Sequence, residues 1–314
     1  MDRAGGRWSD GSGSAAGVSA MADRALHVLA TDAIEVAVCP EVGGCLTAFR
    51  HGGVDLMRPA GPEVVADGDV RGASCFPLVP FSNRIADAAF GFEGRVYRLE
   101  PNFPPEPHAI HGQGWQRPWK VLNARPTRLE LGLSQRVPDT PLVYDARQTI
   151  AVEGSALTIT LDLACRGEYP MPAGLGLHPF FVRTPGVALK ANLSHVWLAD
   201  GRKLPRERVD VPEGWRFRPP RPIDPLELDH CFDGFDGKAS IVWPELARRL
   251  EIKTDPLFGH AVIYVPAGQS FFCFEPVSHV NDGFNLLDRG VFDTGVRVLK
   301  PGQRLTGKVT FEIV

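Results

Sequence analysis

Apolar and polar residues alternate one by one through much of this chain, and that period of two limits the fold more than any other feature. In Leu157-Thr158-Ile159-Thr160-Leu161-Asp162-Leu163 the alternation is strict. Leu129, Leu131 and Leu133 repeat it with Glu130, Gly132 and Ser134 between them, and Val309, Phe311 and Ile313 do so among Lys308, Thr310 and Glu312. Successive strand side chains point to opposite faces, so such runs pack one face on a core and wet the other, as antiparallel sheets do. No 3.6-residue apolar pattern persists over eleven positions, and Pro244 to Ile252 fits a strand as well as a short helix. The 33 Gly and 28 Pro suit many strands joined by tight turns. Phe92 to Tyr97 reads as a hairpin tip, and Val298 to Gln303 as the turn before the last strand. The expectation is an all-β fold, one large antiparallel β-sandwich rather than a closed barrel.

At 314 residues the prior is one large or two ordinary domains, taking ~150 residues per domain. No linker divides Leu26 to Val314, so residues 25–314 read as one domain. Residues 1–24 read as a disordered tail rich in Gly, Ser and Ala, with Met21 as an alternative start. A net charge of -3 gives no reason to expect nucleic acid or an anionic membrane as partner. The six cysteines, Cys39, Cys45, Cys75, Cys165, Cys231 and Cys273, form no CxxC pair and read as reduced core residues. No apolar run approaches the ~18 residues of a membrane span, and the expected location is cytoplasmic.

Five segments place polar groups where a plain sandwich has no need of them. Phe271-Phe272-Cys273-Phe274-Glu275-Pro276 reads as a buried strand ending in a carboxylate, with Pro276 marking the strand's end or an edge. Burial there raises the pKa of Glu275 and makes it a usable base near neutral pH. His178, in Gly176-Leu177-His178-Pro179-Phe180-Phe181, repeats that arrangement: an apolar run, a titratable group, then Pro. Asn83-Arg84 offers a rigid fork of donors suited to hydroxyls or a carboxylate. Pairing with a surface acid is the competing reading of Arg84. In His108-Ala109-Ile110-His111-Gly112-Gln113-Gly114-Trp115 the glycines permit close approach of a ligand, and Trp115 and Trp119 offer apolar faces. The His-x-x-His spacing lacks a third ligand nearby, so no metal is assigned. Asp229 lies in Leu226 to Phe232 and suits either a turn cap or a ligand contact. A carboxylate and an imidazole together form an acid/base pair, and the remaining donors and acceptors match a polyhydroxylated ligand.

In this order, these segments resemble the aldose 1-epimerase (galactose mutarotase) family. The matching residues are Asn83-Arg84-Ile85, the Phe-x-x-x-Gly-x-x-Tyr run from Phe90 to Tyr97, Ile110-His111-Gly112, Leu177-His178-Pro179-Phe180-Phe181, Leu228-Asp229-His230, and Phe274-Glu275-Pro276 with Asn281. The resemblance spans roughly Ile34 to Val314. It implies a galactose mutarotase-like supersandwich with an open cleft, no cofactor, and a monomeric or homodimeric isomerase acting on a small-molecule sugar. Glu275 would take the proton of the C1 hydroxyl and His178 would protonate the ring oxygen, the two acting from opposite sides of the hemiacetal. Arg84, His111 and Asp229 would hydrogen-bond the sugar, with Asn83 supporting them. The sequence departs from the galactose-type pattern at Phe181-Val182-Arg183. Gly112 to Trp119 lies closer to divergent branches that include hexose-6-phosphate epimerases. On that reading Arg71 and Arg117 are candidate phosphate contacts, with surface pairing the competing reading of each. A non-catalytic sugar binder on the same scaffold, and a glycosidase using Asp229 and Glu275, are the other classes.

Overall fold

The computed structural model describes residues 24–224 and 226–314. The tail expected over residues 1–24 therefore falls, apart from Arg24, outside the described residues. Arg24 itself donates to the carbonyl of Ala66 at 2.7 Å.

Two large antiparallel sheets, of eleven and nine strands among the described residues, carry the chain. The alternating runs named above sit side by side in the nine-stranded sheet. Arg128–Arg136, Val143–Glu153, Ala156–Cys165 and Arg304–Ile313 pair in succession, with Leu157 opposite Phe311 and Ile159 opposite Val309. Their apolar residues share one face, and that face meets the other sheet. Phe311, on the last strand, lies 6.5 Å from Phe49 and 6.1 Å from Phe181, both in the eleven-stranded sheet. Each such fully buried side chain contributes roughly 1.5–3 kcal/mol of transfer free energy. The two sheets thus form a sandwich, as their period-two pattern requires.

The turns follow local chemistry. The strands Ala89–Phe92 and Arg95–Arg98 are joined through Glu93 and Gly94, both at positive φ (49° and 72°), the two-residue turn that matches strand twist. The ambiguous Pro244 to Ile252 segment is a turn followed by the strand Arg248–Thr254, which pairs with Lys238–Trp243. All six cysteines are free and buried. No helix among the described residues is long and apolar enough to cross a membrane.

Candidate functional site

The eleven-stranded sheet has a second face, turned away from the sandwich core, and the strand Phe271–Val277 shows how it arises. Phe272 and Phe274 enter the core between the sheets, so Phe271, Cys273, Glu275 and Val277 must face the other way. The strand does not stop at Pro276. It runs on to Val277, deep inside the sheet between Gly176–Val182 and His260–Val265. The expected strand end or edge at Pro276 is therefore corrected, and His178 is likewise in mid-strand. The strands Gly176–Val182 and Phe271–Val277 pair at Gly176 with Val277 and again at Phe180 with Cys273. Pro179 and Pro276 bring no N–H to the stretch between, where the ladder opens. The same register carried across the gap sets His178 opposite Glu275, with Nε2 3.4 Å from Oε1. The two groups are neighbours on one wall rather than a pair facing across a ligand.

Both are buried at the floor of a cleft: Glu275 is 2% exposed and His178 9%. Burial, helped by the charge of Asp229 and opposed by Arg84, pushes the Glu275 carboxyl well above its usual range. Burial, with the Arg58 guanidinium adding to it, lowers the His178 imidazole to about 3. Both shifts favour the uncharged forms. Oε2 of Glu275 and Nδ1 of His178 are buried without a hydrogen-bond partner among the described residues. The imidazole stacks on Phe180, with ring centroids 4.4 Å apart, and Phe76 lies 4.7 Å away.

A second wall comes from the loop around Asn83 and the strand Ala109–Ile110, which pairs with Arg84–Ile85. Asn83 sits at φ 55° and His111 at φ 60°, left-handed conformations held by their contacts. The Asn83 amide donates to Nδ1 of His111 at 3.0 Å, which puts the proton of a neutral His111 on Nε2. Oδ1 of Asn83 accepts from the Arg84 amide at 2.9 Å and from Arg84 Nη1 at 3.2 Å. Glu106 then grips Arg84 in a two-pronged ion pair, at 2.7 and 2.8 Å. Arg84 thus pairs an acid, as its competing reading held, and still lines the cleft, 9% exposed. The His-x-x-His spacing has a local use, since Nδ1 of His108 accepts from the Asp87 amide at 3.0 Å.

These walls enclose a cleft of about 380 Å³, a volume suited to a small ligand. Glu275, His178, Arg84, His111, Asp229 and Asn83 all line it. Asp229 does not cap a turn. It lies on the strand Leu228–Asp233, and its carboxylate is 2.9 Å from Lys203 Nζ. Arg71 reaches the cleft but is paired to Asp69 at 2.7 Å, whereas Arg117 lines a separate groove with Lys120 and Arg147. Trp115 lines the cleft, while Trp119 is core, donating from Nε1 to the carbonyl of Gly114 at 2.9 Å.

Sequence reasoning missed Arg58, Glu106, Lys203 and Tyr264, which also line the cleft. Arg58 packs over Phe180 and Phe271, its guanidinium carbon 4.0 and 4.5 Å from their ring centres. It donates to the carbonyls of Arg71 and Ala73. Only the Phe180-Phe181 and Phe271-Phe272 doublets hinted at an aromatic seat, and nothing marked its occupant.

Fold and cleft together define a class: large antiparallel sandwiches with an open polar cleft on one sheet, holding a buried carboxylate beside an imidazole. Residues 26–312 match the family described as aldose 1-epimerase, and the chain belongs to that family. It is 30% identical over 279 residues to the Escherichia coli K12 protein YphB, described as uncharacterized, covering 86% of this chain and 93% of that protein. The crystal structure of an E. coli K12 candidate aldose 1-epimerase superimposes with a TM-score of 0.84 at 28% identity, covering 92% of this chain and 99% of the other. A galactose mutarotase-like protein of Clostridium acetobutylicum shares the fold, with a TM-score of 0.80 at 19% identity over 91% and 94% of the two chains.

Proposed function

We propose that this protein is an aldose 1-epimerase that interconverts the α and β anomers of a free hexose, with Glu275 and His178 moving the protons. The observation that carries the reading is their contact at 3.4 Å on the buried wall of a sugar-sized cleft. The anomeric hydroxyl and the ring oxygen are bonded to the same carbon, so a base and an acid side by side can serve both. The carboxylate takes the hydroxyl proton while the imidazolium protonates the ring oxygen. The C1–O5 bond breaks and the C1 carbonyl forms. Rotation about C1–C2 and the reverse steps close the ring on either face. Opening turns a carboxylate and an imidazolium into a carboxylic acid and an imidazole. Those are the uncharged forms that burial favours, so opening runs from the minor, charged arrangement of the pair to the favoured one, and the proton first passes from Glu275 to His178. Arg84, His111 and Asp229 hold the sugar's oxygens, and Asn83 fixes the first two.

The test is polarimetry on freshly dissolved α-D-glucose and α-D-galactose. Wild type should accelerate the drift of rotation, and Glu275→Gln should lose about 10²–10⁴-fold, the scale of one positioned proton-transfer group. Wild type indistinguishable from buffer on both sugars would sink the proposal. A second reading, epimerisation of a hexose 6-phosphate, is favoured by Arg58. Arg84, Lys203 and Arg71 each have a carboxylate partner, whereas Arg58 is held by backbone carbonyls and forms no ion pair among the described residues. Glucose 6-phosphate should then compete with glucose for turnover, and indifference to it removes this reading.

A further inference from the structure

The wall that carries Glu275 and His178 holds a third group that proton transfer does not use. Cys273 precedes Glu275 by two residues on the same strand, so both side chains lie on the same face of the sheet, with the thiol fully buried beneath the cleft wall. Cys273 pairs with Phe180, two residues beyond His178, which puts the imidazole on the diagonal from the thiol and directly opposite the carboxylate. One ligand-capable atom from each of His178, Cys273 and Glu275 lies within 4.8 Å of the others, and all three residues are buried. Two of the three carry a buried polar atom with no hydrogen-bond partner among the described residues: Nδ1 of His178 and Oε2 of Glu275.

We propose that this triad is a binding site for a borderline-soft divalent cation, zinc above all. Occupation of the site switches the cleft off. Zinc accepts sulfur at about 2.3 Å and nitrogen or carboxylate oxygen at about 2.0–2.2 Å, usually with four ligands. Closing the three side chains on one ion needs movements of about an ångström. Water or a sugar hydroxyl from the cleft fills the fourth position. The thiolate and carboxylate together offset the 2+ charge, which counters the repulsion from nearby Arg58 and Arg84. A hard ion such as magnesium has no preference for sulfur and is excluded by that choice of donors. A bound ion holds the carboxylate and the imidazole as ligands, so neither is free to move a proton. The binding stands apart from the proposed reaction, and only the switching-off rests on it.

The experiment is calorimetric titration of zinc chloride into metal-free protein, with Cys273→Ser and Glu275→Gln alongside. Cobalt serves as a coloured substitute in a parallel titration. Wild type should take up one equivalent and show a sulfur-to-cobalt charge-transfer band. Cys273→Ser, which keeps the side-chain size, should lose the band and bind zinc at least about a hundredfold more weakly, beyond what losing an outer partner costs. Glu275→Gln should weaken binding while keeping the band. Unchanged affinity and an unchanged band in Cys273→Ser would overturn the site, as would the absence of any zinc uptake by wild type. If wild type proves to be a mutarotase, zinc should halt it, a chelator should restore it, and Cys273→Ser should work at the basal rate while resisting zinc. If no sugar is turned over, the two titrations still decide the metal site.

Discussion

Glu106 shows how a side chain that touches no reacting atom governs one that is proposed to. Its carboxylate accepts from Nε and Nη2 of Arg84, and Arg84 holds Glu106 below the usual carboxylate range. The pair is partly open to water, so its contribution to stability is modest, ~1 kcal/mol or less. Its contribution to position is larger, because a guanidinium released from its clamp swings by more than the tolerance of a reacting geometry. Glu106→Gln should therefore raise KM and lower kcat by up to about a hundredfold while the melting temperature barely moves. Equal loss of activity and stability would mean that the pair is merely structural. The proton pair makes its own prediction. Activity requires one proton shared between Glu275 and His178, so the pair titrates as a unit. Below the depressed imidazole value of about 3 both groups are protonated and no base remains. Above the raised value of Glu275 both are deprotonated and no acid remains. The profile of kcat/KM against pH should be a broad bell whose alkaline limb belongs to the carboxyl.

At the scale of strands and turns, the site depends on a close approach of backbone to backbone. Gly112 sits at φ 68°, and a Cβ there would lie 2.1 Å from the carbonyl oxygen of Val79. That oxygen accepts from the amide of Gly114 at 3.1 Å, so the contact ties the loop next to His111 to the end of the strand Cys75–Leu78, which carries Phe76. Gly112→Ala should cost ~1–3 kcal/mol for the strained backbone, and more if Val79 is displaced, and should weaken sugar binding by moving His111. Gly94 at the hairpin tip has a similar φ of 72° but nothing near a Cβ. Gly94→Ala should cost no more than about 1 kcal/mol, with activity intact. Chemical denaturation of the two variants side by side checks the contrast. These elements also show what a sequence can reveal. The period-two runs exposed the sheets, and the titratable residues before Pro179 and Pro276 exposed the pair, because both signals are local. Glu106 and Lys203 were invisible, since each matters only through a partner, Arg84 or Asp229, brought to it by the fold. Pro276 misled for a related reason. A proline ends a strand when its neighbour needs the missing N–H, and here the ladder toward Gly176–Val182 is open at the level where Pro276 lies.

The molecule as a whole keeps several histidines neutral by burying them. His111 and His260 are held below their ordinary values by burial, His178 goes to about 3 and His279 to about 4. In the unfolded chain these groups take up protons near pH 6.5, so the unfolded state binds more protons through the window below that value. Stability is therefore complete above about pH 6.5 and is lost as pH falls toward the folded-state values. Glu275 works in the opposite sense, its raised carboxyl lowering stability as pH rises, but it is one group against several. Between pH 7 and pH 5 the protein should lose several kcal/mol and roughly 10 °C of melting temperature, measured by calorimetry. A flat profile would mean that these histidines charge within the folded state.

The alternation in Phe271–Val277 has a consequence for how this chain can change over generations. A single residue inserted within Phe271–Phe274 would turn Glu275 into the space between the sheets and offer a phenylalanine to the cleft. Two inserted residues would restore the facing while displacing the carboxylate along the wall. Heritable length variation is therefore filtered by parity in the strands and left free in the turns. Descendants of this sequence should differ in length at loops such as Glu93-Gly94 long before they differ by a single residue in the strand that ends at Val277.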